Sequence, residues 1–70
     1  MLAIITPVGP EGPALGQQKA IEGESLGSLI SQAASHVERL RSEGASLLGA
    51  DIIYHSVGGS AIFRLRGERL

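Results

Sequence analysis

The chain has 70 residues, six Lys/Arg against seven Asp/Glu for a net charge of −1, and no cysteine, which limits it to one domain (1–70) and excludes disulfides and thiolate zinc as props for a thin core. Near-neutral charge, with Tyr54 and Phe63 as its aromatics, argues against the broad basic footprint and stacking platforms of nucleic-acid binders. No apolar run approaches the roughly 20 residues that cross a bilayer, and the start MLAIITPVG lacks the basic segment and long apolar run of a secretory signal, so a cytoplasmic protein without a membrane anchor is expected.

Leu2 to Thr6 is apolar and rich in β-branched residues and reads as a first strand that Pro7 stops. VGPEGPALGQQ, with three glycines and two prolines, reads as a loop. Lys19 to Glu24 offers a second, edge-like strand, weakened by Gly23 and suited by its terminal charge to an exposed position. Ser25 is a good N-cap for an amphipathic helix on Leu26, Ile30, Ala33, Val37, Leu40, Gly44 and Leu47, with Leu29, Ala34 and Leu48 widening the stripe. The reading preferred is a helix through Leu48 capped by Gly49; the alternative ends it at Glu43 with Gly44 as the cap.

DIIYHSV and SAIFRLR then flank Gly58-Gly59, a two-residue connection typical of hairpins. With those glycines as the loop, Tyr54 pairs with Phe63 and Ile52 with Leu65 on a core face, while His55 pairs with Ile62, Ile53 with Arg64 and Asp51 with Arg66 on the other. The predicted fold is therefore α+β, one amphipathic helix on a small, mostly antiparallel sheet in the order β-(β)-α-β-β, ending in a hairpin. One helix cannot cover both sides of that sheet. Ile53, Val57 and Ile62 remain apolar on the uncovered side, which points to a subunit interface more than to a solvated face, given how little core so short a chain builds alone.

The candidate chemistry is sparse. His36 and His55 are not spaced as a helical ligand pair, and no acidic run resembles a calcium loop. In a ring, however, copies of His55 on the interface face would meet around the axis and could hold a divalent metal. Arg64 and Arg66 point the same way on a regular strand and form the candidate anion site, with Arg69 near and Asp51 and Glu68 as competing ion-pair partners. No Gly-x-Ser-x-Gly turn is present, and the spacing sets no base beside a nucleophile. Gly58-Gly59-Ser60 precedes a strand where a phosphate loop would precede a helix.

Several short motifs occur in one order: Thr6-Pro7, Glu11-Gly12, Gly23-Glu24, Leu26-Gly27, a helix running into Leu48-Gly49-Ala50-Asp51, and a hairpin ending at Gly67. In this the chain resembles the YbjQ-like family of heavy-metal-binding proteins, while being shorter, with less material between Leu26-Gly27 and the main helical run and with a proline-rich early loop. The resemblance implies a strand-rich α+β subunit in a ring, a pentamer, and carries no defined catalytic residues. The expectation is thus a homo-oligomeric binding or assembly module, holding a metal ion or small ligand at subunit boundaries. The alternatives are an accessory protein that binds another protein and a small enzyme with an inter-subunit site built from His55, Tyr54 or the arginines.

Overall fold

The first strand, β1 (Leu2–Gly9), runs straight through Pro7, where the sequence suggests a stop. In an antiparallel ladder a residue's N and C=O point to the same side, and the Pro7 carbonyl accepts from Ala14 N at 2.7 Å. The missing donor of Pro7 therefore faces the segment between two short partner strands, where no ladder bond is lost. Those partners are β2 (Gly12–Pro13) and β3 (Lys19–Glu22), both antiparallel to β1 and separated by a 3-10 turn, Leu15–Gln17. The expected loop thus contains a small hairpin, and the edge strand is real but ends at Glu22. The computed structural model describes residues 1–56 and 58–66, apart from the side chains of Ser56 and Arg66.

The helix α1 spans Leu26–Ser42, and Ser25 caps it as expected, its Oγ accepting from Ser28 N at 3.2 Å. Its other end corrects the longer reading. Gly44 has φ +102°, Ala45 N donates to Leu40 O and Gly44 N to Arg41 O, both at 3.0 Å; this is the paired 6→1 and 5→2 arrangement of a Schellman cap. Leu47 is buried, but from the connection after the helix, and Leu48 is exposed. The apolar spacing that continued past Gly44 reflected burial of the connection. Arg41 fastens that connection, its Nε and Nη2 donating to Leu47 O at 3.1 and 2.7 Å.

The hairpin consists of β4 (Gly49–Ser56) and β5 (Gly59–Arg66), and the sheet runs β2-β1-β4-β5 with β3 also beside β1. Its register differs from the expected one: Ser56 pairs with Gly59, Ile53 with Ile62, Ile52 with Phe63 and Asp51 with Arg64. Tyr54 lies opposite Ala61 and is diagonal to Phe63, and Gly49, not Asp51, lies opposite Arg66. Gly59 enters the ladder at φ +123°, a conformation open to glycine. The shift keeps each residue on its expected face, yet it sets Ile against Ile and a carboxylate against a guanidinium, the cross-strand pairs that stabilise a sheet.

The helix packs over β4, β1 and β3. Ile5, Ile52, Leu29, Val37, Ala33 and Ala50 are fully buried between the two layers. Tyr54, Phe63 and Leu65 are half-buried at the margin of the same layer. The architecture is the α+β arrangement expected, one helix on one face of an antiparallel sheet.

Candidate functional site

Side chains alternate across a strand, so the face of the sheet turned from α1 is built from Leu2, Ile4 and Thr6 of β1, Asp51, Ile53 and His55 of β4, and Ser60, Ile62 and Arg64 of β5. The strand registers place Ala20, Ile4, Ile53 and Ile62 in one transverse row across four strands, spanning about 14 Å at the usual strand spacing. All four are exposed; Ile4 retains 45%, Ile53 36% and Ile62 56% of its accessible surface. Leu2, 63% exposed, extends the patch. A polar row flanks it on one side and a mixed row, Leu2 among polar residues, on the other. Thr6, Asp51 and Arg64 lie opposite one another on one side; Leu2 pairs with Glu22 and His55 with Ser60 on the other.

Of the interface residues read from the sequence, Ile53 and Ile62 therefore meet directly on the open face. Val57 lies outside the described residues, as do Glu68, Arg69 and the side chain of Arg66. Leu2 and Ile4 belong to the same patch and were not singled out, although the alternation in Leu2–Ala3–Ile4–Ile5 puts two apolar residues on each face of a strand.

His55 is exposed on this face, and its Nδ1 lies 3.1 Å from Ser60 Oγ. The register thus sets an imidazole beside a hydroxyl, which spacing along the chain did not suggest. The other ring nitrogen has no carboxylate partner among the described residues, so nothing there orients the imidazole as a base. His36 sits on the helix side of the sheet, and no group of three His, Asp or Glu side chains converges among the described residues. The described residues therefore supply no complete metal site around His55 within one chain. Tyr54 points to the helix face and His55 away from it, so one chain cannot aim both at a common substrate. Arg64 Nε lies 4.0 Å from Asp51 Oδ1, and the guanidinium is mostly exposed, so this half of the candidate anion site already faces a carboxylate.

His36 is 7% exposed, a burial that sequence reasoning missed although Leu29, Ala33, His36 and Leu40 recur at helical spacing. Arg39 Nη2 lies 2.9 Å from its Nδ1, and its Nε2 lies 3.1 Å from Gln17 O. Guanidinium has donors alone, so in this geometry Nδ1 accepts from Arg39 and Nε2 donates to the carbonyl. The imidazole ties the 3-10 turn to the helix. Compared with protein-family models, with curated proteins and with solved structures, the chain matches none.

Proposed function

We propose that the chain is a homo-oligomeric binding or assembly module whose copies meet through the open face of the sheet. The observation that carries this reading is the exposed row Ala20, Ile4, Ile53 and Ile62, a continuous apolar band that Leu2 extends and that polar residues border, the anatomy of an interface core with its rim. Burying each isoleucine or leucine from its half-exposed state contributes about 1 kcal/mol. A standard interface takes about 800 Å² from each partner, roughly a fifth of the 4435 Å² that this chain exposes. For so small a core, association supplies what the interior lacks.

The YbjQ-like resemblance adds a ring of subunits, five in number, as the form of the assembly. In such a ring His55, which borders an apolar hollow with Leu2, Ile4, Ala20 and Ile53, would be repeated at each boundary and is the residue through which a divalent metal would be held.

Native mass spectrometry of untagged protein tests the reading, since one spectrum reports subunit number and any retained metal or ligand mass. An oligomer is expected, and Ile62→Asp is expected to return it to monomer by placing a carboxylate in the apolar contact. A bare monomer in the unmodified protein, or an assembly that Ile62→Asp leaves intact, counts against it. A stoichiometric foreign chain in the spectrum would favour the accessory-protein alternative.

A further inference from the structure

On the opposite side of the sheet, between β3 and α1, lies an open cleft of about 320 Å³ lined by Lys19, Ser31, Gln32, Ser35, His36 and Arg39. Lys19 reaches it because it pairs with Ile5, a residue of the helix-facing layer. Ser31, Ser35 and Arg39 follow one another at intervals of four and so share one stripe of α1. Among the described residues no carboxylate lines the cleft, although acids outnumber bases in the chain. Neither cation has an ion-pair partner among the described residues, where the salt bridges are Arg41 with Glu38 and Arg64 with Asp51.

A buried imidazole holds Arg39 and ties down the chain just before Lys19. His36 spends both ring nitrogens, one accepting from Arg39 and the other donating to Gln17 O, two residues before Lys19. The imidazole therefore braces the Arg39 guanidinium on the helix and the chain leading into Lys19 at once. One of the five N–H groups of Arg39 is used on His36, and the rest remain available. Gln32 is similarly occupied, its Nε2 donating to Glu22 O at 2.9 Å, which ties the other end of β3 to the helix.

We infer that this cleft binds the phosphate group of a small phosphomonoester, with Arg39 and Lys19 neutralising the charge, the Ser31 and Ser35 hydroxyls donating to remaining oxygens, and His36 positioning Arg39. A guanidinium with free N–H groups, an ammonium and two hydroxyls make a donor set suited to a tetrahedral oxyanion. The volume is at the lower end of ligand-pocket sizes and exceeds what bare phosphate fills. The site lies on the face away from the proposed subunit contact, so it stands or falls independently of that reading.

An NMR titration of ¹⁵N-labelled protein at fixed ionic strength, with chloride exchanged for the probe, tests it; fixed ionic strength removes simple screening. Glycerol 3-phosphate and inorganic phosphate are the two probes. Saturable shifts confined to residues 17–19 and 31–39 are expected, with tighter binding of the ester. Equal binding of both would support the phosphate site and assign free phosphate as its ligand. Arg39→Gln and Lys19→Gln, both at exposed positions, should each weaken binding by about tenfold, the usual worth of a charge-assisted hydrogen bond. His36→Gln should weaken it less while moving the Arg39 side-chain resonance in the unliganded protein. Absence of saturation for both probes, or binding unchanged in both charge variants, would overturn the proposal.

Discussion

At the level of single residues, His36 illustrates how a polar side chain enters a thin core. It is placed among Leu29, Ala33 and Leu40 by helical period, and its burial is tolerated because both nitrogens are bonded. His36→Ala removes both bonds and leaves the Gln17 carbonyl without its donor. A loss of about 1–3 kcal/mol in unfolding free energy is expected, read from the shift in the midpoint of urea denaturation; an unmoved midpoint would show that the imidazole braces nothing. Histidine on the apolar stripe was visible in the sequence. Its two partners were not, because Gln17 lies 19 positions away in a segment that reads as loop.

At the level of elements, the helix end and the hairpin register teach the same lesson from different sides. Both candidate caps, Gly44 and Gly49, were legible, and apolar spacing favoured the later one. The backbone decides for Gly44, whose positive φ frees Leu47 to enter the core from outside the helix. The two readings predict opposite signs for Gly44→Ala. A helix continuing through this residue would gain roughly 1 kcal/mol from the alanine, whereas the left-handed cap loses about that amount, since a Cβ there meets nothing within 4 Å and the effect is purely of the backbone. Thermal unfolding should therefore shift downward. In the hairpin, alternation assigned each residue its face and left the pairing open, because a slip that keeps parity changes partners without exchanging faces.

For the whole molecule, the consequence of one helix on a two-sided sheet is a face that must find solvent or protein. If copies of the chain cover it, folding is linked to concentration: the thermal midpoint should rise with protein concentration in the unmodified chain and be independent of concentration in Ile62→Asp. Equal slopes in the two proteins would separate the apolar row from assembly. The same two-sidedness divides candidate chemistry between the faces, with His55 and Arg64 on the open side and His36, Arg39 and Lys19 beside the helix, so each can be tested without disturbing the other.

Composition and period, taken alone, determined the class of fold, the order strand, edge strand, helix and hairpin without the short β2, the helix N-terminus at Ser25 and the two-faced hairpin with Ile53 and Ile62 on its outer side. These properties are set locally, by side-chain alternation, capping chemistry and chain length. Tertiary structure decided that Ile4 joins Ile53 and Ile62 in one row, that Arg64 faces Asp51, that Pro7 stays inside a strand, and that Lys19 and Arg39 border one cleft. Each of these depends on which backbone lies beside which, and that choice is made by long-range pairing and packing that no local pattern encodes.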